Sequence, residues 1–378
     1  MIVGEKRIRV LVVDDSAFMR KVLHELISSD PQMEVVGQAR DGRDAVALAE
    51  SLQPDVISMD LRMPHMDGLE ATELIMARNP RPIVIVSSES LEGATSTLRA
   101  LELGAIDFVA KPSGGVDLDM NIVRDELTRR LKMAARVRVV RTATLSKLPT
   151  ELSAATPRSV ASVADRKPVS RKLPGLGADG RFPIVVIAAS TGGPAALMRL
   201  VPSFPKDFPA AVLVVLHMPA NFTTLMGQQL AQIAALRVKE AERGEIVQPG
   251  TLYVCPGSHH LRVSLAGRIL LDSGVSVSGY RPSADLALET VAAYAGPLMT
   301  AVVLTGMGND AARGVRAVKT AGGLVIAQDE HTSVIFGMPA AAIRTGAVDQ
   351  VLALDQIYPW IEKHVFSLSC GVPQGSRG

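Results

Sequence analysis

Short, almost wholly apolar runs that end abruptly in polar residues recur along this chain, each followed by a helical stretch, and that rhythm admits few folds. In the N-terminal part "IRVLVVD" (8–14), "MEVVGQA" (33–39), "PDVISMD" (54–60), "RPIVIVSS" (81–88) and "IDFVAKP" (106–112) read as strands. Between them "AFMRKVLHELIS", "GRDAVALAESL", "LEATELIMAR" and "TSTLRALELG" carry helical periodicity, and a last helix is expected over roughly 119–135. Strands apolar nearly throughout suit a parallel sheet covered on both faces. Five strand–helix units in succession predict a small, five-stranded, parallel, doubly wound domain over residues 1–135.

The rhythm stops near residue 136. Residues 136–181 are rich in Arg, Lys, Ser, Pro and Ala without sustained periodicity, and read as a flexible linker. From 182 to 366 the alternation returns, with strands expected in "PIVVIAAS", "AAVLVVLHMP", "MTAVVLTG" and "GLVIAQD". Between the second and third of these, "GTLYVCPGSHHLRVSLAGRILLDSG" alternates, contains Gly turns, and reads as an antiparallel hairpin. The second half is therefore expected to be a doubly wound α/β domain with an antiparallel hairpin, and 367–378 a disordered tail. At 378 residues the chain is long enough for two cored domains.

Composition removes several function classes. A net charge of +2 draws the protein neither to nucleic acid nor to an anionic membrane. Two cysteines, Cys255 and Cys370, make no disulfide framework and suit a reducing compartment. The N-terminal apolar run meets acids almost at once, unlike a signal peptide, and no run approaches the ~18 uncharged apolar residues of a membrane span. The expectation is a soluble, cytoplasmic protein.

In a parallel α/β sheet the strand C-termini share one edge, and sites form there. Asp14 and Asp15 end the first strand, Asp60 the third, Ser87 the fourth and Lys111 the fifth. Three clustered carboxylates repel one another, which Mg²⁺ relieves by binding a few carboxylates plus water. A carboxylate beside that cation and an ammonium can attack phosphorus, the two cations offsetting charge on the phosphoryl oxygens. "VLVVDDSAFMR", "VISMDLRMPHMDGLEA", "IVIVSS" and "DFVAKP" resemble the receiver domain of two-component response regulators, a flavodoxin-like fold, over roughly residues 6–130. The resemblance implies that Asp60 takes a phosphoryl group from a histidine kinase. It implies Mg²⁺ held by Asp15, Asp60 and the Arg62 backbone carbonyl, with Asp14 acting through water. Ser87 and Lys111 match the switch hydroxyl and lysine, and the peptide before Pro112 is expected to be cis. Arg62 departs from the smaller or acidic residue common at its position.

The second half raises a separate question at "PIVVIAASTGGPAALM", where a buried-type strand ends in Ser190, followed by two glycines and Pro194. Glycines allow a sharp turn and close approach of a ligand, and the helix that follows directs free N–H groups to the same place. That suits a nucleophile beside an anion-stabilising site, and equally a phosphate cradle. His217 ends the next strand, and Asp310 follows "VVLTGMG". Serine, histidine and aspartate thus meet at one sheet edge, in a chain order unlike that of α/β-hydrolases and without G-x-S-x-G. The cradle reading weakens because neither phosphate fingerprint is present and it leaves His217 and Asp310 without a task.

"AASTGGP", "LHMP", "YVCPGSHHL", "YRPSADLAL", "VVLTGMGNDAARG" and "SVIFGMPAAAI" resemble the catalytic domain of the chemotaxis protein-glutamate methylesterases, and with the receiver the likeness spans about residues 1–365. It implies a Ser190–His217–Asp310 triad, oxyanion donors at the backbone N–H groups of Thr191 and Met307, and no cofactor in that domain. The implied activity removes methyl esters from glutamates of chemotaxis receptors, and deamidates receptor glutamines, through an acyl-enzyme under phosphorylation control. Receptors and a histidine kinase are the implied partners, and a monomer is expected. The competing function is a response regulator whose second half is a non-catalytic nucleotide- or partner-binding module. Of the remaining residues, "CPGSHH" (Cys255, His259, His260) lacks standard zinc spacing and reads as a loop beside the site. His24 and His364 read as surface or packing residues, His65 as solvent-facing, and His331 as a candidate lining residue of the substrate groove.

Overall fold

The computed structural model describes residues 6–87, 91–111, 120–137 and 181–369. Most of the expected linker, the end of the expected tail and Pro112 lie outside the described residues. The receiver sheet is formed by β1 (Ile8–Val13), β2 (Met33–Ala39), β3 (Val56–Met59), β4 (Ile83–Ser87) and β5 (Asp107–Ala110). Its order is β2-β1-β3-β4-β5 and every pairing is parallel. Helices α1 (Ala17–Ser28), α2 (Gly42–Leu52), α3 (Gly68–Arg78), α4 (Leu91–Glu102) and α5 (Met120–Ala134) separate and follow the strands. Asp41 and Asp67 start α2 and α3 by accepting the N–H of Asp44 at 2.9 Å and of Glu70 at 2.8 Å, satisfying donors that the first turn leaves free. Strand order reverses between β1 and β3, which puts the ends carrying Asp14, Asp15 and Asp60 at the switch point.

The second domain contains β6 (Ile184–Ala189), α6 (Gly193–Leu200), β7 (Ala211–Leu216), α7 (Ala220–Ile233), β8 (Arg237–Glu240), β9 (Thr251–Val254), β10 (His260–Val263), β11 (Ile269–Asp272), α8 (Ala284–Ala295), β12 (Met299–Val303), α9 (Ala312–Thr320), β13 (Leu324–Gln328), α10 (Met338–Arg344), β14 (Gln350–Leu352) and α11 (Leu354–Ser369). Seven strands form a parallel sheet in the order β14-β13-β12-β6-β7-β9-β8. The chain leaves β6 toward β7 and later returns to its other side as β12, so this switch point lies beside the end of β6.

Two expectations change here. The stretch read as one hairpin is divided: Thr251–Val254 joins the main sheet as β9, and only β10 and β11 pair antiparallel. All four residues of β9 are buried, the signature of a strand covered on both faces, whereas Arg262, Leu270 and Asp272 alternate outward from the hairpin. The last helix runs to Ser369, three residues into the expected tail. No helix among the described residues is long and apolar enough to cross a membrane.

The domains pack on each other. Phe108 of β5 stacks on Phe222 of α7 with ring centroids 4.4 Å apart, and α4 lies against α7. Leu98 and Leu101 of α4 share one buried apolar cluster with Phe222 and Met226 of α7.

Candidate functional sites

At the receiver edge the structure gathers the expected residues. Carboxylate oxygens of Asp14, Asp15 and Asp60 lie within 4.8 Å of one another. Asp14 and Asp60 are buried and Asp15 is exposed at the mouth. Lys111 Nζ reaches Asp14 Oδ2 at 2.8 Å and Asp60 Oδ2 at 2.7 Å. A cavity of about 250 Å³ is lined by Asp15, Asp60, Arg62, Ser87 and Lys111. Arg62 extends across it to Glu92 at 3.5 Å, and Ser87 Oγ donates to the Gly93 carbonyl of α4 at 3.4 Å.

One ammonium against three carboxylates leaves the cluster in excess negative charge. Burial, with help from the charge of Asp14, pushes the Asp60 carboxyl up despite Lys111. Burial works against the Lys111 ammonium, but Asp14 and Asp60 more than offset it and hold it charged. All-oxygen donors with uncompensated charge fit a hard divalent cation.

In the second domain, β6 and β7 pair in register up to Ala189 opposite Leu216, so Ser190 and His217 are the next residues of neighbouring strands, ~4.8 Å apart along the sheet. His217 N–H donates to the Ala189 carbonyl at 3.1 Å, and Ser190 N–H to the Thr305 carbonyl beyond β12 at 3.1 Å. His217 Nε2 lies 2.8 Å from Asp310 Oδ2. Its other ring nitrogen, Nδ1, is buried and has no hydrogen-bond partner. Among the described residues no hydrogen bond joins Ser190 Oγ to His217.

Asp310 is held from all sides. Ser283 Oγ donates to it at 3.0 Å, as do the backbone N–H groups of Ala284 at 2.6 Å and Asp285 at 2.9 Å. It thereby caps the N-terminus of α8 from a distant loop. Burial alone would raise its carboxyl; the His217 bond and the α8 N–H groups outweigh that and hold it below the usual carboxylate range. A carboxylate that accepts from Nε2 assigns the neutral ring's proton to Nε2 and leaves Nδ1 as the basic atom.

The turn after Ser190 depends on two glycines. Gly192 has φ +77° and starts α6, with Pro194 in the first turn. Gly306 faces the serine: a Cβ there would lie 2.9 Å from Ser190 Cβ and 3.0 Å from its nitrogen. Thr305 ties the two loops together, donating to the Thr191 carbonyl at 2.9 Å and accepting the Ile335 N–H at 2.9 Å. Among the described residues the backbone N–H groups of Thr191 and Met307 make no hydrogen bond, so both are free to meet a developing oxyanion.

Several contributors have no role assigned from sequence, Tyr280 among them although it opens "YRPSADLAL". Tyr280 stacks on His217, centroids 4.5 Å apart and planes 21° from parallel. Asp107 of the receiver accepts from Thr191 Oγ1 at 2.5 Å and pairs with Arg130 of α5 at 2.5 Å. The receiver therefore lies directly on the serine turn. His260 Nδ1 accepts the Ser283 N–H at 3.1 Å, which puts the "CPGSHH" loop behind Asp310. Cys255 is buried, which pushes its thiol up and keeps it protonated. Among the described residues the one group of three or more possible metal ligands is Asp14, Asp15 and Asp60. His24 bonds Gln38 at 3.3 Å, His65 and His331 are exposed, and His364 is buried against Trp360.

Fold and site define a response-regulator receiver joined to an α/β output domain of the hydrolase kind. Residues 10–123 match the response regulator receiver domain and residues 185–361 the CheB methylesterase family. The protein-glutamate methylesterase/protein-glutamine glutaminase of Symbiobacterium thermophilum is 45% identical over 372 residues, covering 96% of this chain and 98% of its own. Its namesake from Pyrococcus horikoshii is 43% identical over 363 residues, with 95% and 94% covered. The crystal structure of the Thermotoga maritima CheB methylesterase catalytic domain covers 49% of this chain and 98% of its own at 41% identity, with a TM-score of 0.46. The chain belongs to the protein-glutamate methylesterase/protein-glutamine glutaminase family.

Proposed function

We propose that this protein is a phosphorylation-regulated hydrolase that demethylates glutamate side chains of chemotaxis receptors and deamidates receptor glutamines. The observation that carries this reading is the buried, unpartnered Nδ1 of His217, on a ring held by Asp310 and one strand position from Ser190. Ser190 Oγ attacks the side-chain carbonyl carbon while His217 Nδ1 takes the hydroxyl proton. The Nε2–H bond to the Asp310 carboxylate stabilises the imidazolium that forms. The N–H groups of Thr191 and Met307 receive the oxyanion, each such donor contributing ~10²–10³ in kcat. Collapse of the tetrahedral intermediate breaks the ester C–O bond, and Nδ1–H protonates the departing methoxide. Water, deprotonated by Nδ1, then attacks the glutamyl-Ser190 ester and restores the serine. An amide follows the same path with ammonia leaving. A partner-binding module would give the His217–Asp310 pair no task.

Control is assigned to the receiver. Asp60 is the phosphoryl acceptor, and Asp15, Asp60 and the Arg62 carbonyl, with Asp14 through water, would hold Mg²⁺. Bound there, the cation would supply charge neutralisation for the phosphoryl oxygens. Lys111 adds an ammonium to the same oxygens, and Ser87 shifts toward the new group, moving the Gly93 end of α4, a helix that packs on α7. In the unphosphorylated protein Asp107 covers the serine turn and Phe108 packs on α7, and phosphorylation releases both. We assign residues 1–135 to the receiver, 136–181 to a linker and 182–366 to the catalytic domain, in a cytoplasmic monomer that meets a histidine kinase and receptor helices.

The test is methanol release from methylated receptor membranes, with and without a small-molecule phosphodonor plus Mg²⁺. Wild type is expected to release methanol, faster with the phosphodonor, and Ser190→Ala to release none while keeping its unfolding temperature. Equal release by Ser190→Ala would overturn the assignment.

A further inference from the structure

The Asp310 bond restrains one atom of the His217 ring. It leaves the imidazole free to pivot about the Nε2···Oδ2 line, and such a pivot would swing Nδ1 away from the serine. A second restraint on the ring plane is needed, and Tyr280 is placed to supply it.

Two features hold Tyr280. Its backbone closes a two-residue turn in which Val277 N–H donates to the Tyr280 carbonyl at 3.0 Å and Tyr280 N–H to the Val277 carbonyl at 2.9 Å. The turn residues Ser278 and Gly279 have φ +52° and +84°, the paired positive values of a type I′ hairpin turn. At the other end the phenol oxygen reaches into the loop after β12. It sits so close to Gly308, φ +89°, that a Cβ there would lie 1.9 Å from it. The ring between these two anchors lies flat on the imidazole. Its hydroxyl seat is thus in the loop that also carries Met307 and Asp310, so one side chain links the base, its carboxylate partner and a candidate oxyanion donor.

We infer that Tyr280 is a positioning residue that fixes the plane of the His217 imidazole so that Nδ1 faces Ser190; this rests on the triad reading above. The stacking ring does this, and the hydroxyl only steadies the ring.

The test uses the full-length protein with phosphodonor and Mg²⁺, comparing wild type, Tyr280→Phe and Tyr280→Leu. A misaimed base costs on the order of 10–10² in turnover. Tyr280→Leu is therefore expected to lose that much kcat for methanol release with little change in KM, and Tyr280→Phe to stay within about threefold of wild type. NMR of histidine-labelled protein gives a readout independent of activity, with the His217 resonances assigned by their loss in His217→Gln. The ring protons of His217 are expected upfield in wild type and Tyr280→Phe, and shifted back in Tyr280→Leu. Wild-type kcat in Tyr280→Leu overturns the inference, as does a Tyr280→Phe variant as impaired as Tyr280→Leu. Unmoved His217 resonances in Tyr280→Leu overturn it too, even if no form releases methanol, an outcome that by itself would instead sink the esterase reading.

Discussion

The contact between Thr191 and Asp107 allows the proposed occlusion to be weighed. Both residues are buried, and the bond crosses from the serine turn to the receiver at 2.5 Å. Arg130 and the Phe108 N–H, the other partners of Asp107, belong to the receiver as well, so separating the domains breaks the Thr191 bond and leaves them intact. Asp107→Asn preserves shape and an acceptor oxygen while removing the charge. Hydrogen bonds to charged groups contribute about 1.5–3 kcal/mol and neutral ones about 0.5–1.5. The difference of about 1–1.5 kcal/mol shifts a closed–open equilibrium roughly tenfold toward open. The substitution also weakens the contact with Arg130, but that contact is common to both states and cancels from the ratio. Methanol release by the unphosphorylated protein should therefore rise about tenfold, while the fully phosphorylated rate stays the same. Stimulation by phosphodonor should fall by that same factor. The assay is initial release from methylated receptor membranes before and after phosphodonor plus Mg²⁺. An unchanged basal rate in a protein with the wild-type unfolding temperature refutes the reasoning.

Other expectations follow from the same contacts. Asp60→Asn should abolish stimulation by phosphodonor and leave basal release intact, and chelation of Mg²⁺ should block phosphoryl incorporation in wild type without lowering basal release; loss of basal release on chelation would put a metal in the wrong domain. Gly306→Ala should push Ser190 off its position and cut kcat by on the order of 10–10², measurable as turnover in folded protein; wild-type turnover would show the loop yields freely. Asp310 is a carboxylate whose folded value is depressed, so its contribution to stability is present in full above its unfolded value of about 4 and is lost as pH falls through the lower folded value. The gap in unfolding temperature between wild type and Asp310→Asn should narrow on that acid limb, and a gap constant down to low pH would contradict the assignment.

Much of this molecule is legible without coordinates. A helix expected over "AFMRKVLHELIS" is α1 residue for residue, because Ser16 caps it and its apolar spacing has one face to bury. The strands missed were β8, "RVKE", and β14, "QVL", the two edges of the sheet. Edge strands are short and polar by necessity, so their signal is weak. "TLYV" was misplaced for a related reason: neighbouring Gly turns suggested a hairpin, while its pairing partners β7 and β8 lie far from it in sequence or are polar.

Sequence alone determined where the two candidate sites lie. A parallel α/β chain delivers every strand end to one edge, so Asp14, Asp15, Asp60, Ser87 and Lys111 had to converge, and so did Ser190, His217 and Asp310. Tertiary structure decided how each group is used. It chose Nε2 of His217 for Asp310, made Asp310 the cap of α8, laid Tyr280 on the imidazole, and set Asp107 against Thr191. Those choices rest on side chains separated by tens of residues meeting in one packed volume. Strand periodicity encodes which edge a residue reaches; it carries no information about which distant side chain packs against it there.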